Sequence, residues 1–404
     1  MAKKKKVEEE QVAMDIQSKR DRLASVLKTI NKNNPKGAVG FLDDEAILGK
    51  VNYEKLSTGI PQVDQIMDGG VPRGKFSVFT GKAGSGKSTM AMQVMAQHLE
   101  KDEDAVWVWV DSENSWDSAW AQTMGVDESR VIWIQSSIME DCLQQMIDLA
   151  KSGDISGCVL DSIGALLPRA EVENPTKSAT SEATARTLRQ ENVAVLNRKI
   201  GQFYRAAGPT MAQNNVACIL ISHVYTDINS MGHGEKLVTK GGNATAHWAH
   251  VRVAFRRRTD MDMQVEIMMP DGRKAKTYSG FQSVIKVEKS KQGAHEGHEV
   301  FIPFTKGIGF DSKQCTINAA LVNGVFEQRG AWIYSDLLPG EGKIQGKKKL
   351  FDLILGDEEL YLRVLNDVLI ATSDELIDSA TGEVINTMDL SPAGENNEAT
   401  VEKL

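Results

Sequence analysis

Apolar residues along this chain fall into short continuous runs that alternate with segments in which they repeat at helical spacing. Between residues 51 and 305 the runs are rich in β-branched and aromatic residues, which is typical of strands buried on both faces of a parallel sheet. The alternation predicts an α/β core in which helices flank a mostly parallel sheet. The predicted strands are residues 76–79, 105–110, 131–134, 157–160, 217–221, 251–255 and 283–287, and the predicted helices are residues 89–99, 116–124, 140–151 and 182–207.

Residues 1–50 have a different pattern. Residues 1–10 contain mainly Lys and Glu, and this low-complexity composition predicts disorder. Apolar residues from Leu23 to Ile30 then repeat at helical spacing, and the polar residues 33–37 end the predicted helix. Such a stripe usually packs against its own domain, whereas docking on a neighbouring protomer is the alternative.

The pattern changes again after Gly307, where shorter helical and strand-like stretches follow at residues 318–325, 331–334 and 349–371. They predict a small mixed domain. From residue 374 onwards the apolar periodicity is lost and acidic residues dominate, which predicts a disordered tail. The predicted division is residues 1–50 for a basic tail, a helix and a docking segment, 51–305 for the core, 306–371 for the small C-terminal domain and 372–404 for the acidic tail.

Composition agrees with a globular protein. The 404 residues are 41% hydrophobic and 25% charged. We find no long uncharged apolar stretch and no signal-peptide pattern, so the sequence predicts a soluble cytoplasmic protein without a membrane partner. The four cysteines lie far apart and form no C-x-x-C pair, which favours buried free thiols over disulfides or a zinc site. A metal ion is therefore expected only together with a bound nucleotide.

The net charge of −8 is unevenly distributed. Residues 3–6 are lysines, Arg252 and residues 256–258 bring arginines to one predicted strand end, and the C-terminal tail is strongly acidic. Because the local field rather than the sum decides whether a polyanion binds, a nucleic-acid partner is compatible with this charge. The acidic tail is either a solvated terminus or an electrostatic mimic that competes with nucleic acid for a basic surface.

Residues 81–89 form a complete G-x-x-x-x-G-K-[ST] phosphate-binding loop between a predicted strand and a predicted helix. In such a loop the glycines allow backbone N–H groups to point at phosphates, Lys87 reaches the β- and γ-phosphates, and the Ser88 hydroxyl can bind Mg²⁺. The loop therefore predicts a nucleotide site. Its residues are Gly81, Lys82, Ala83, Gly84, Ser85, Gly86, Lys87, Ser88 and Thr89.

Two further predicted strands end in carboxylates. Ligands of α/β sheets bind at the carboxyl ends of strands, so these groups are expected near the phosphate loop. Residues 157–160 lead into Asp161, which has the position of the acid that supports nucleotide-bound Mg²⁺. Residues 106–110 lead into Asp111 and Glu113. We predict that Glu113 is the base that activates water, and the alternative is a surface or N-cap carboxylate.

A third predicted strand, residues 217–221, is followed by Ser222 and His223. A polar residue at this edge can contact the γ-phosphate and report its presence, although a lone histidine is more often structural. Two irregular stretches, residues 168–181 and 224–240, predict mobile loops that follow a phosphate backbone. Their basic residues are Arg169, Lys177, Lys236 and Lys240.

A series of motifs, taken in order, resembles those of the bacterial RecA family. They are residues 56–59 with Asp64 and residues 69–74, the phosphate loop, and residues 111–113, 160–162, 240–244 and 286–291. The resemblance covers roughly residues 20–370. It includes the N-terminal polymerisation segment at residues 35–59 and the small C-terminal domain around residues 307–310 and 330–332. It implies a RecA-type P-loop ATPase core that binds ATP with Mg²⁺.

The resemblance also implies roles for individual residues. Glu113 would activate water and Asp161 would support Mg²⁺, while Asp117 would bond the adenine and Trp120 would stack on it. Lys289 and Lys291 would act in trans, because in the RecA filament this K-x-K motif reaches the γ-phosphate of the neighbouring protomer. Residues 168–181 and 224–240 would be the two DNA-binding loops. The implied DNA contacts are Arg169, Arg186, Arg198, Lys236, Lys240, Gly241, Gly242 and Asn243.

The chain departs from bacterial RecA at two places. His223 stands where that family has Gln, which is similar to the UvsX-like phage recombinases and favours a γ-phosphate sensor with a pH dependence of its own. Residues 174–215 are longer than the bacterial counterpart, so the assignments of Arg186 and Arg198 depend on that alignment. This combination predicts a phage-encoded recombinase working in the host cytoplasm, with a divergent bacterial RecA as the alternative.

The resemblance implies an ATP-dependent recombination protein. It would form helical filaments of copies of itself on single-stranded DNA and pair them with homologous double-stranded DNA. A single-strand-binding protein and a loader are further expected partners. Two alternatives remain at this point: a hexameric motor of the same fold, such as a replicative helicase, and a non-catalytic scaffold that binds nucleotide only to assemble. The K-x-K motif disfavours the motor, and the intact acids disfavour the scaffold.

Overall fold

The computed structural model describes residues 2–33, 39–44, 47, 53–169, 182–226, 237–239, 242–268, 274–291, 296–372, 376–377 and 384–385. The strands are β1 (Lys55–Leu56), β2 (Val71–Pro72), β3 (Phe76–Gly81), β4 (Trp107–Asp111), β5 (Val131–Gln135), β6 (Gly157–Asp161), β7 (Ala217–Thr226), β8 (Leu237–Thr239), β9 (Val251–Met268), β10 (Lys274–Ser290), β11 (Glu299–Thr305), β12 (Gly309–Phe310), β13 (Glu327–Arg329), β14 (Trp332–Tyr334), β15 (Lys343–Gln345), β16 (Leu376–Ile377) and β17 (Val384–Ile385). The helices are α1 (Ala2–Asn33), α2 (Pro61–Ile66), α3 (Lys87–Lys101), α4 (Ser118–Thr123), α5 (Met139–Ser152), α6 (Glu182–Gln213), α7 (Gly242–Trp248), α8 (Ser312–Val322), α9 (Lys347–Leu355) and α10 (Glu358–Thr372). Every strand and helix predicted for the core is present, with shifted ends.

One large sheet forms the centre of the molecule. Its main strand order is β12-β11-β10-β9-β3-β7-β6-β4-β5, and β8 pairs with β7 outside that path. Neighbouring strands from β9 to β5 run parallel, whereas β10, β11 and β12 are added antiparallel. This sheet confirms the predicted α/β class with a mostly parallel sheet.

The register of the parallel strands aligns the ends of β3, β4 and β6 near His223 of β7. Gly81 at the end of β3 pairs with His223 on β7, and Asp111 at the end of β4 pairs with Asp161 at the end of β6. Strands β6 and β7 pair with each other. The start of the phosphate loop and the predicted acids therefore lie along one carboxyl edge, where ligands of α/β sheets bind.

The central strands contribute to two hydrophobic cores, because successive side chains of a strand point to opposite faces. Phe79 of β3 is buried in one core together with Met90 of α3. Its neighbour Val78 is buried in the other core, together with Met146 of α5 and Ile200 of α6. Helix α3, which follows the phosphate loop, is thus fixed against one face of the sheet.

Helix α1 differs from its prediction in two respects. It begins at Ala2, so the predicted disorder of residues 1–10 is wrong. Lys and Glu are good helix formers, and composition alone did not reveal this. The apolar stripe does not pack against its own domain at Leu23, Val26 and Ile30, which are 47%, 50% and 40% exposed. Docking on a neighbouring protomer, the alternative, stays a prediction.

Strands β9 and β10 extend far beyond the predicted residues 251–255 and 283–287. They pair with each other from Val251 opposite Ser290 to Met268 opposite Lys274. Pairing between β9 and β3 ends at Phe255, so the rest of β9 forms a ribbon with β10. Apolar runs do not reveal such a ribbon, because antiparallel strands do not need to be buried on both faces.

A third hydrophobic core lies in the C-terminal part of the described chain. Members of this core include Ile317 of α8, Phe326, Ile333 of β14, Leu350 of α9 and Val364 of α10. This part contacts the α/β core through hydrogen bonds, in which Gln93 Nε2 donates to Ser312 Oγ over 3.0 Å and Gln62 Nε2 donates to the Cys315 carbonyl over 2.9 Å. The boundary between the two units near residue 306 stays a prediction.

The remaining expectations concern the tail, the cysteines and membranes. The predicted acidic tail, residues 372–404, lies outside the described residues apart from Thr372 and the paired strands β16 and β17. All four cysteines are buried free thiols, as predicted. None of the helices in the described ranges is long and apolar enough to cross a membrane.

Candidate nucleotide-hydrolysis site

The phosphate loop connects the end of β3 with the start of α3, and its shape depends on glycine at both ends. A Cβ atom at Gly81 would lie 2.2 Å from the carbonyl oxygen of Phe255, so only glycine allows β9 to approach this closely. Gly86 has φ 99° and is the N-cap of α3. A Cβ there would lie 2.5 Å from Cζ of Phe310. The loop therefore keeps the open backbone that a phosphate cradle needs.

Lys87 is buried beneath this loop. Its Nζ donates to the carbonyl oxygen of Lys82 over 2.9 Å, which holds the ammonium group across the loop. Burial lowers the pKa of Lys87 to about 8, against the opposing effect of the negative charges of Asp161 and Glu113. A buried cation at this position is suited to a polyanionic ligand, because phosphate oxygens restore the solvation that burial removed.

Ser88 and Asp161 offer oxygen atoms side by side. The Asp161 carboxylate accepts a hydrogen bond from Ser88, and burial raises the pKa of Asp161 to about 6. The Asp161 side chain is itself buried. A hydroxyl and a carboxylate are hard oxygen donors of the kind that Mg²⁺ prefers, so this pair fits a nucleotide-bound Mg²⁺ ion.

One carboxylate oxygen of Glu113, the predicted base, has two polar neighbours. This oxygen, Oε1, accepts a hydrogen bond from the Ser162 hydroxyl, and Nε2 of His223 lies 3.2 Å from the same oxygen. The Glu113 side chain is 35% exposed and the His223 side chain 21% exposed. The fold thus joins the predicted base to the predicted γ-phosphate sensor.

Asp111 shapes the loop that carries Glu113. Its buried carboxylate accepts hydrogen bonds from the backbone N–H groups of Glu113 at 3.3 Å, Ser115 at 2.9 Å and Trp116 at 2.9 Å. The sequence indicates Asp111 only as a second acid at a strand end. An Asp that precedes a turn rich in Ser and Asn is a signal for this kind of local backbone bonding.

The predicted adenine contacts lie on the next helix. Asp117 is the N-cap of α4 and accepts from the backbone N–H groups of Ala119 at 2.9 Å and Trp120 at 3.2 Å. The Trp120 ring lies 6.3 Å from the Phe304 ring, centroid to centroid. Asp117 therefore has a structural role of its own, and the adenine contacts of both residues stay predictions.

The two lysines of the K-x-K motif lie far from the phosphate loop of their own chain. Lys289 pairs with Arg252 of β9, which pairs with Val78 of β3. Gly81 lies three residues further along β3, or about 10 Å at the usual rise of a strand. Because β10 runs antiparallel to β9, Lys291 lies further still from the loop. The fold thus brings neither lysine to Glu113.

Lys289 has bonds within its own chain. Its Nζ donates to the carbonyl oxygens of Ala246 at 2.6 Å and His247 at 3.0 Å, at the C-terminal end of α7. Burial, together with the charge of Lys291, lowers the pKa of Lys289. Lys291 is exposed.

The predicted DNA contacts are only partly within the described residues. The Arg169 side chain forms an ion pair with Asp141, and its backbone N–H donates to Glu140 Oε2 over 2.8 Å. Arg198 is exposed on α6, and Gly242 and Asn243 begin α7. Lys177, Lys236, Lys240 and Gly241, the side chains of Arg186 and Asn243, and most of both predicted DNA loops lie outside the described residues.

A phosphate loop, an acid at the end of a nearby strand and a carboxylate beside both define a P-loop ATPase with a mostly parallel sheet. A family model described as the RecA N-terminal domain matches residues 21–308, and the chain belongs to the RecA family.

Named relatives match over most of their own length. Protein RecA of Thermus thermophilus is 30% identical over 365 residues, which are 89% of this chain and 99% of the relative. Protein RecA of Trichodesmium erythraeum is 30% identical over 338 residues, covering 83% of this chain and 84% of the relative. Protein RecA of Wolinella succinogenes is 26% identical over 368 residues, covering 90% and 96%.

Membership in this family identifies the chain as a DNA-dependent ATPase that acts in homologous recombination and strand exchange. The match favours this function over the hexameric motor considered from the sequence.

Proposed function

We propose that copies of this chain assemble on single-stranded DNA into a helical filament, which pairs with homologous double-stranded DNA and is reset by ATP hydrolysis. The observation that carries the proposal is the convergence of the phosphate loop, Asp161, Glu113 and His223 on one edge of the sheet. A nucleotide bound at that edge contacts the side chain that precedes the second predicted DNA loop.

The residues of this edge have different roles in hydrolysis. The loop glycines and Lys87 bind the phosphates, and Ser88 and Asp161 would hold Mg²⁺. When bound, that ion would supply positive charge to the phosphate oxygens. Glu113 orients the attacking water and accepts its proton, because its carboxylate is partly exposed and lies beside the buried acid and lysine. Asp117 and Trp120 are proposed to receive the adenine.

His223 is proposed to couple the nucleotide to DNA. It lies on β7, the strand that leads into the second predicted DNA loop. When a γ-phosphate draws the imidazole away from Glu113, the strand end moves with it, and the loop changes its hold on DNA. A histidine here also matches the proposed UvsX-like character of the chain.

Neighbouring protomers are proposed to complete the site. Lys289 and Lys291 lie at the opposite end of β3 from their own phosphate loop. In a head-to-tail filament that end of one protomer can meet the nucleotide edge of the next. Lys289 would exchange its bonds to the end of α7 for the neighbour's γ-phosphate, so that assembly and nucleotide state are linked.

The exposed stripe of α1 is proposed as the other half of the protomer contact. Strand β5 is the last strand at one end of the sheet, and its Ile132 and Trp133 are 38% and 47% exposed. An open groove of about 560 Å³ beside them is lined by Trp133, Ile134, Gln145, Asp148 and Leu149. An exposed apolar helix face and an open sheet edge each favour non-specific association. Docking the helix of one protomer on the sheet edge of the next would cover both surfaces.

The DNA partners follow from this assembly. Single-stranded DNA would contact the two predicted loops with Arg169, Arg186, Arg198, Lys236 and Lys240, and the backbone of Gly241, Gly242 and Asn243 would receive phosphates. Such a protein works where bacterial or phage DNA is found, in the bacterial cytoplasm. A single-strand-binding protein and a loader would assist assembly.

A strand-exchange assay tests the proposal. Circular single-stranded DNA and homologous linear duplex are mixed with the protein and ATP. The expected product is a nicked circular duplex with a displaced linear strand, formed only with homologous DNA and ATP. Unwinding of the duplex without a paired circular product would instead support a motor and contradict the proposal.

A further inference from the structure

Glu113 is held by a pair of serines that no sequence motif indicates. The first serine, Ser162, follows directly on Asp161 at the end of β6, and its hydroxyl donates to Oε1 of Glu113. The Ser162 side chain is fully buried. A carboxylate on a partly exposed loop thus receives a hydrogen bond from a group fixed in the core of the sheet.

The second serine fixes the first. The backbone N–H of Ser162 donates to Oγ of Ser112 over 2.8 Å. Ser112 Oγ in turn lies 2.8 Å from the carbonyl oxygen of Ser162 and 3.0 Å from that of Asp161, to either of which it can donate. The backbone N–H of Ser112 also donates to the Asp161 carbonyl over 2.9 Å. The strand end that carries Ser162 and the loop that carries Glu113 are therefore joined by at least three polar contacts.

We infer that Ser162 is a positioning residue that selects the orientation of the Glu113 carboxylate, and that Ser112 fixes Ser162 for this purpose. A glutamate side chain has several rotatable bonds and loses much freedom when held in one rotamer. A base must also lie within hydrogen-bond reach of the water it activates. A donor that holds one carboxylate oxygen in place reduces the number of orientations that the other oxygen can take.

The two polar neighbours of Oε1 have different surroundings. Ser162 is buried and joined to β4 through Ser112, whereas His223 is partly exposed and precedes the second predicted DNA loop. Ser162 therefore keeps the carboxylate in place while His223 responds to the nucleotide. The inference rests on the proposed role of Glu113 as the base, and the test separates the two.

The test compares Ser162→Ala with a matched control. Ser77→Ala removes a hydroxyl that is equally buried, on β3. For each variant, kcat and KM for ATP are measured with single-stranded DNA present, binding of a non-hydrolysable ATP analogue is measured separately, and the denaturation midpoint reports folding. A lost hydrogen bond to a charged group predicts a fall in kcat of about tenfold or more for Ser162→Ala, with KM and analogue binding unchanged. Ser77→Ala is expected to keep the wild-type kcat.

A double-mutant cycle with Glu113→Gln distinguishes positioning from general structural damage. Residual hydrolysis is measured in single-turnover reactions at high protein concentration. If Ser162 acts through Glu113, Ser162→Ala has no further effect in the Glu113→Gln background. The same loss in both backgrounds would overturn the inference. Wild-type kcat in Glu113→Gln would instead remove the proposed base, and with it this inference.

Ser112→Ala provides a second variant if Ser162→Ala does not fold. It keeps the Ser162 hydroxyl but removes the group that fixes its backbone. It is expected to lower kcat in the same direction by a smaller factor, again only when Glu113 is present. Wild-type kcat in both serine variants would contradict the inference.

Discussion

Nε2 of His223 lies 3.2 Å from Oε1 of Glu113, although His223 lies on β7 and Glu113 follows β4. The contact joins the proposed base to the strand that enters the second predicted DNA loop. Any event that moves the imidazole changes the surroundings of Glu113, and this contact is the proposed route from DNA to hydrolysis.

Replacing His223 tests this route. His223→Ala is expected to bind ATP normally. With DNA present it should hydrolyse ATP at least about tenfold more slowly than the wild type, because the strand that leads into the predicted DNA loop no longer contacts Glu113. His223→Gln keeps a polar side chain and is expected to retain more of the stimulation. The rate of ATP hydrolysis with and without single-stranded DNA checks both variants. Full stimulation in His223→Ala would show that coupling takes another path.

The pKa of Lys87 predicts a pH dependence of ATP binding. Burial lowers this pKa from 10.5 to about 8, so the free protein loses the charge of Lys87 as the pH rises through 8. Binding of phosphates favours the charged lysine and therefore requires proton uptake above that pH. ATP affinity, measured by calorimetry, is expected to fall as the pH rises from 7 to 9.

Lys87→Ala provides the corresponding variant. Loss of the buried cation is expected to abolish ATP binding, hydrolysis and nucleotide-dependent assembly together. Lys101→Ala, at the exposed end of the same helix, removes an equal charge and should leave all three intact. Normal hydrolysis in Lys87→Ala would show that the nucleotide binds elsewhere.

The action of Lys291 in trans can be tested by mixing two inactive proteins. Lys291→Ala lacks the lysine but has Glu113, and Glu113→Gln has the lysine but lacks the base. In a randomly mixed filament with equal amounts of each, about one interface in four combines an intact Glu113 with an intact Lys291 from the neighbour. Hydrolysis is expected to recover to about a quarter of the wild-type rate. No recovery in filaments that contain both proteins would contradict action in trans.

The apolar stripe of α1 predicts an assembly variant. Val26→Asp places a charge on an exposed apolar residue, so the fold should tolerate it while protomer docking is lost. Lys28→Asp introduces the same side chain off the stripe and should still assemble. Sedimentation with single-stranded DNA and an ATP analogue distinguishes the variants. Equal assembly of both would show that the stripe makes no protomer contact.

Asp64 predicts a pH dependence of stability. Burial raises its pKa from 3.8 to about 6, even though Ser57 and Thr58 donate hydrogen bonds to it. The folded state therefore binds more protons than the unfolded state between about pH 4 and pH 6, so this group favours folding as the pH falls through that window. Relative to Asp64→Asn, the wild type is expected to gain unfolding free energy between pH 7 and pH 4 in urea titrations. A constant difference would contradict the shift.

The elements that could be predicted from the sequence are those that produce a pattern among neighbouring residues. The phosphate loop has a fixed pattern, and the buried strands around Val78 and Leu160 have continuous apolar runs that few other structures produce. Glu113 and Asp161 were predicted because parallel strands end at a common edge. The exposed stripe of α1 and the ribbon beyond Phe255 were not, because burial and pairing depend on the rest of the fold.

The contacts between strand ends could not be predicted from local pattern. Nothing near Ser112 or Ser162 in the sequence indicates that they join, since the contact depends on the register of β4 against β6. The same holds for Lys289, whose motif implied a role in trans but not its bonds to α7. Asp111 is intermediate, because the turn that follows it contains a recognisable signal.

Electron microscopy of the purified protein with single-stranded DNA tests the central claim most directly. The sample contains a slowly hydrolysed ATP analogue, and a nucleotide-free sample is prepared beside it. We expect helical filaments in the sample with the nucleotide, and no regular helical filaments in the sample without it. Closed six-membered rings, or dispersed protomers in both samples, would contradict the account.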